Sequence, residues 1–104
     1  MIYIFWTAPS REEAKKICQE LIKKGFVACA SIIPDIESIY HWKGKIEEKR
    51  EVKVILKTLS SYYDAIQEYI LVHGSYEVPE IIEVPLGHGN PRYLSWVFEE
   101  IGRR

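Results

Sequence analysis

Ala28 to Thr58, ACASIIPDIESIYHWKGKIEEKREVKVILKT, reads as two long strands joined by a tight turn at Lys43-Gly44. Pro34-Asp35 interrupts the first strand, which suggests a bulge rather than an end. Alternation follows: Ile36, Ser38, Tyr40 and Trp42 point one way, and Glu37, Ile39 and His41 the other. With a two-residue turn, opposed residues share a face. Trp42 then faces Lys45, Tyr40 faces Glu47, and Glu37 faces Arg50 as an opposite-charge pair. Val52, Val54 and Leu56 return as the core-facing set, between Lys53, Ile55 and Lys57.

The outer half of this hairpin is too long and too polar for a chain of 104 residues to cover. From Ile36 to Trp42 it reaches roughly 20 Å. An isolated two-stranded ribbon is marginal in water. Burying aromatics such as Tyr40 and Trp42 stabilises by about 1.5–3 kcal/mol each. Further copies of the chain could supply that burial in a closed ring. The competing reading is a hairpin folded back on its own sheet.

Working outward, Ile2 to Trp6 is an apolar run of β-formers, suited to a central strand buried on both faces. Ser10 with Glu13 forms a capping box for a helix carrying Ala14, Ile17, Cys18, Leu21 and Ile22, which Gly25 stops. Phe26 to Ile33 opens the second strand. Ser61 to His73 is a second helix, capped by Ser61 with Asp64 and striped by Ile66, Tyr69 and Ile70. Gly74 ends it. Ile81 to Leu86 is a fourth strand, whose Pro85 places that end at a sheet edge. Asn90-Pro91 starts a third helix with Leu94, Val97, Phe98 and Ile101. Gly102 stops it, and Arg103-Arg104 read as a frayed end. The order βαββαβ plus a C-terminal helix is an α+β, ferredoxin-like split β-α-β sandwich, in one domain over residues 1–104.

Composition narrows the function classes. Net charge is −1, and Lys43, Lys45, Lys49 and Arg50 alternate with Glu47, Glu48 and Glu51, so an extended nucleic-acid surface is not expected. Lys24-Gly25-Phe26-Val27-Ala28 faintly matches half of an RNA-recognition signature, but the downstream stacking aromatics are missing. No apolar run approaches the roughly 20 residues of a membrane span. Met1 leads directly into a strand without a basic leader. These features lead to an expectation of a reduced, cytoplasmic protein with no nucleic-acid or membrane partner.

Candidate chemistry is sparse. The two cysteines and three histidines, Cys18, Cys29, His41, His73 and His88, fall in no CxxC, HxH or HExxH spacing. Cys18 reads as a buried hydrophobe. Cys29 has small neighbours, which admit close approach of a ligand or another chain. His73 either caps its helix or ligates a metal. Lys57, expected near Tyr76 and Glu80, is either solvated or an anion site in a cleft between subunits. No GxSxG motif occurs, and no Cys–His pair is close in sequence, so nucleophilic catalysis has little support.

Ala28-Cys29-Ala30, Ile33-Pro34, Ser38 to Glu47, Glu51 and Leu56-Lys57-Thr58, with Thr7-Ala8-Pro9, Tyr76 to Ile81 and Tyr93 to Trp96, resemble the CutA divalent-cation tolerance family along the whole chain. The resemblance implies a non-enzymatic, cytoplasmic homotrimer linked to tolerance of copper and other divalent cations. Its hairpins would build the interfaces, with Tyr40, Trp42, Glu47 and Glu51 taking part. It also implies likeness to the PII signalling trimers, which hold small effectors in clefts between subunits. Cys29, Lys57, Tyr76 and Glu80 are the cleft candidates here, for an anionic effector; a ligand-free adaptor trimer is the further alternative. Copper-binding relatives carry a cysteine before Thr-Ala-Pro and two adjacent histidines before Tyr-x-x-Pro-Glu. Those positions hold Trp6, His73 and Gly74 here, leaving His73 as the metal candidate.

Overall fold

A computed structural model describes residues 1–102; the expectation for Arg103-Arg104 lies outside them. The elements are β1 (Ile2–Ala8), α1 (Arg11–Lys23), β2 (Cys29–Trp42), β3 (Lys45–Thr58), a 3-10 turn (Ser60–Tyr62), α2 (Tyr63–His73), β4 (Ile81–Pro85) and α3 (Pro91–Glu100). One antiparallel sheet has the order β2-β3-β1-β4. This is the ferredoxin-like arrangement expected from the element order.

Even-numbered residues of β1 and β3 face α1 and α2. Ile2, Ile4, Trp6, Val54 and Leu56 pack there with Ala14, Ile17, Leu21, Ile66 and Ile70. β1 is central and fully buried on the side of α1 and α2. On its other side Thr7 is buried while Tyr3 and Phe5 are half-buried. Burial pushes the Cys18 thiol up to about 12, so it stays a neutral core group.

Ser10 accepts from the Glu13 backbone at 3.2 Å as a cap should. The return half of the box is diverted. Glu13 Oε2 and Oε1 accept instead from the Ser75 backbone and hydroxyl, at 3.1 and 2.7 Å. Two donors beyond α2 outcompete one at the helix start, and the swap ties α1 to the chain leaving α2. Ser61 does not cap α2, which starts later, at Tyr63, without a side-chain cap. The preceding 3-10 turn takes up Ser60 and Ser61, and Ser60 donates to Glu83 at 2.9 Å. Asn90 caps α3 through Arg92 N at 3.0 Å. Of the α3 stripe, Val97 is buried and Leu94 and Ile101 are half-buried, while Phe98 is exposed. Phe98 stands about 100° round the helix from Val97, outside the covered arc.

The hairpin holds the expected register, with Trp42 opposite Lys45, Tyr40 opposite Glu47 and Glu37 opposite Arg50. Lys43 and Gly44 both carry positive φ, 49° and 81°, the pairing that a two-residue hairpin turn requires. Arg50 bonds Asp35 at 3.3 Å rather than Glu37. Asp35 is the bulge residue, with φ of 61°, and its short side chain reaches across the kink. Between Ile33 and Ile36, β2 spends two residues against one on β3. That extra residue rephases the strand: Cys29, Ser31 and Ile33 share the face away from α1 and α2 with Ile36, Ser38, Tyr40 and Trp42.

β1 ends at Ala8, opposite Val52. Beyond it the hairpin runs on alone, and every residue from Tyr40 to Arg50 is exposed. The molecule is 45 Å long but 27 and 21 Å across, with a radius of gyration of 14.3 Å. A compact domain of this length has about 13 Å. The hairpin therefore projects instead of folding back.

Candidate functional site

The face turned away from α1 and α2 carries the chemistry. β1 contributes Thr7 to it, β3 contributes Lys49, Glu51, Lys53 and Lys57, and the arm contributes Ser38, Tyr40 and Trp42. The segment 74–80, between α2 and β4, folds over one end of this face. With Thr7, Lys49, Glu51 and the three arm residues it encloses an open groove of about 430 Å³.

Glu51 lies at the groove floor, where the arm leaves the sheet. It is 8% exposed. The Tyr76 hydroxyl donates to its Oε2 at 2.5 Å. Burial, then the bond to Glu51 and the negative charge of that carboxylate, raise the Tyr76 hydroxyl above the usual phenolic range. It therefore stays a donor. The Lys49 ammonium stands over the Tyr76 ring, 4.6 Å from its centroid.

Glu80 forms the second polar cluster. Its Oε1 accepts from Thr7 Oγ1 and from Lys53 Nζ, both at 2.6 Å. Desolvation pushes its carboxyl upward, but these two donors outweigh that and hold it below the ordinary 4.5. The backbone repeats the link, because Thr7 N donates to Glu80 O at 3.2 Å.

Lys57 is not beside Tyr76 and Glu80 as expected. It pairs in register with Tyr3, four residues from Thr7 along β1, or about 13 Å. The residue is 8% exposed, and its ammonium meets the Ser31 hydroxyl and lies 3.9 Å from Cys29 Sγ. The Tyr3 ring is 5.9 Å away. The four cleft candidates thus fall into two places. Tyr76 and Glu80 share the groove with Tyr40, Trp42 and Glu51, while Cys29 and Lys57 sit together near the other end of the face. Glu47 lies on the exposed arm. Thr7 and Lys49 complete the groove, Lys53 holds its Glu80, and all three were missed from the sequence. For Lys53 the signal is the alternation that already set it on the face opposite Val52 and Val54.

The copper ligand set fits poorly. Trp6 is 1% exposed and belongs to the core. A Cβ on Gly74 would stand 2.8 Å from the Ile70 carbonyl oxygen, so no side chain is tolerated there without movement. His73 is exposed and stacks on Tyr69 at 4.1 Å. Among the described residues no three His, Cys, Asp or Glu side chains gather into a metal cluster. No described helix is long and apolar enough to cross a membrane.

Residues 2–100 match the family model of the CutA1 divalent ion tolerance protein. The chain belongs to this family. Mouse Protein CutA is 45% identical over 95 residues, which are 91% of this chain and 54% of the mouse protein. Rice Protein CutA 1, described as chloroplastic, is 38% identical over 92% of this chain and 54% of its own length. The chain therefore spans about half of these relatives. The crystal structure of CutA1 from Pyrococcus horikoshii superposes with a TM-score of 0.92 at 37% identity, covering 99% of this chain and all of the other. The family takes its name from tolerance of divalent ions and not from a catalysed reaction.

Proposed function

We propose that this CutA-family chain is a single-domain, non-enzymatic subunit of a cytoplasmic homotrimer acting in tolerance of divalent cations such as copper. Its groove beside Glu51 serves as the ligand site. The arm carries the assembly reading: Tyr40 and Trp42 remain 37% and 45% exposed on strands that their own sheet does not flank. The Lys43 ammonium stands over the Trp42 ring, 5.7 Å from its centroid. Unpaired strand edges and exposed aromatics are what a sister subunit would cover.

The mass in solution tests the assembly. Wild type is expected at three times the 12.2 kDa protomer mass, and Tyr40→Asp/Trp42→Asp at one. A monomeric wild type with an ordered arm ends this reading. Titration of Cu(II) into wild type and His73→Ala tests the metal. Weaker binding by the variant supports His73 as a ligand, and equal binding removes it.

One observation favours a second reading, the PII-like sensor of an anionic effector. Lys57 is a buried residue whose ammonium meets a hydroxyl, a thiol and a ring, with no carboxylate paired to it among the described residues. A thermal-shift screen of nucleotides and organic acids, repeated on Lys57→Met, separates this reading from the first.

A further inference from the structure

At the base of the sheet a cross-strand pair sets a thiol beside an amine. We propose that Cys29 and Lys57 form a redox modification site: hydrogen peroxide oxidises the thiol, and the lysine nitrogen then closes on the sulfur as a reversible sulfenamide bridge. The site needs neither the groove nor the arm. Cys29 lies eleven residues along β2 from Tyr40, about 36 Å away.

The geometry of the pair carries it. Cys29 and Lys57 are direct partners in the β2–β3 register, which keeps their side chains on one face with Cβ atoms about 4.5–5.5 Å apart. Lys57 Nζ stands 3.9 Å from Cys29 Sγ. Lys57 is more than nine-tenths buried, and no carboxylate pairs with it among the described residues. The nitrogen is therefore held beside the sulfur and not drawn off into an ion pair. Cys29 itself is half-buried, open enough for so small an oxidant. No second thiol can resolve it within the chain, because Cys18 is sealed in the core on the α1 side of the sheet. Burial, then the charges of Cys29 and Tyr3, raise the Tyr93 hydroxyl, so α3 brings a neutral phenol close to the pair.

The chemistry balances. The Cys29 sulfur attacks one peroxide oxygen; the O–O bond breaks, a sulfenic acid forms, and the thiol proton leaves with the departing oxygen as water. Lys57, having released a proton to solvent, attacks the same sulfur. The N–S bond forms, the S–O bond breaks, and hydroxide takes an amine proton to leave as a second water. Sulfur is oxidised by two electrons and the peroxide reduced by two. The flexible four-carbon stem of lysine allows the approach from 3.9 Å. Two small thiols reverse the step, regenerating Cys29 and Lys57 and becoming a disulfide. While it lasts, the bridge keeps the sulfur from the irreversible sulfinic stage and removes a positive charge from this end of the sheet.

The test exposes the assembled wild-type protein to hydrogen peroxide and follows the intact chain and its tryptic peptides by mass spectrometry. The expected product is lighter by two hydrogens, resists trypsin after Lys57, joins the peptides of Cys29 and Lys57, and regains its starting mass in dithiothreitol. Lys57→Arg keeps the charge without the amine nucleophile and should accumulate about tenfold more dimedone-trapped sulfenic acid than wild type. Lys57→Met should do the same, with circular dichroism checking the fold of both. The wild-type cross-link decides the matter even where a variant fails to fold. An unreacted Cys29, unbridged sulfinic acid in wild type, a Cys29 disulfide between copies, or equal dimedone labelling of wild type and folded variants overturns the proposal.

Discussion

The Tyr76 hydroxyl and the Glu51 carboxylate, 25 residues apart, meet at 2.5 Å and join the 74–80 segment to the root of the arm. This bond has a directional cost when broken. A buried carboxylate that loses its donor keeps its full desolvation penalty.

Tyr76→Phe should therefore destabilise the protein by about 1–3 kcal/mol, measured by urea denaturation. Adding Glu51→Leu to that variant should restore part of the loss, since removing both partners leaves no orphaned charge. Strict additivity of the two substitutions would show that they do not share this bond.

Glu80 sets a pH dependence. Its carboxyl is held below 4.5 in the folded protein, by Lys53 and Thr7 against desolvation. The stabilisation is thus present above the ordinary carboxylate value and is lost as pH falls through the folded one. Wild type should lose stability on acidification more steeply than Lys53→Met. The gap between them should narrow from pH 7 to pH 3, as urea midpoints would register. A constant gap would uncouple Lys53 from this titration.

Deleting Asp35 should leave the facing of the arm intact. Between the Ile33–Lys53 and Ile36–Glu51 pairs β2 carries two residues against one on β3, so losing one restores regular alternation and keeps Tyr40 and Trp42 on the face of Glu51. The expected outcomes are retained helix content by circular dichroism and an unchanged assembly mass; loss of that mass would show that the kink itself is needed for assembly. Asp35→Gly, which tolerates the positive φ, should behave as wild type.

Gly74→Ala should cost about 1–3 kcal/mol, through overpacking against the Ile70 carbonyl 2.8 Å away. Thermal denaturation measures it. A neutral substitution would mean that the chain leaving α2 relaxes freely, despite the Glu13 bonds to Ser75.

The register of the hairpin was legible because three local signals agree: period-two alternation, a turn pair able to take positive φ, and a Pro-Asp interruption. The groove was only partly legible. Alternation put Lys53 and Lys57 on one face, but it does not say which of them the 74–80 segment crosses. That choice depends on where β4 begins. Ile81 pairs with Trp6, so Glu80 falls beside Thr7 and reaches Lys53. The diverted Glu13 was hidden for the same reason. A capping box is a local pattern, and its competitor, Ser75, lies 62 residues away.

The two thiols differ in a way that makes the chain its own clock. Cys18 is sealed in the core as a neutral thiol, while Cys29 is only half-buried. Thiolates, not thiols, react with alkylating reagents. In native buffer the reagent meets Cys18 only during excursions that separate α1 from the sheet. Mass spectrometry of single and double adducts over time then converts Cys18 labelling into an opening frequency, without denaturant or an introduced probe.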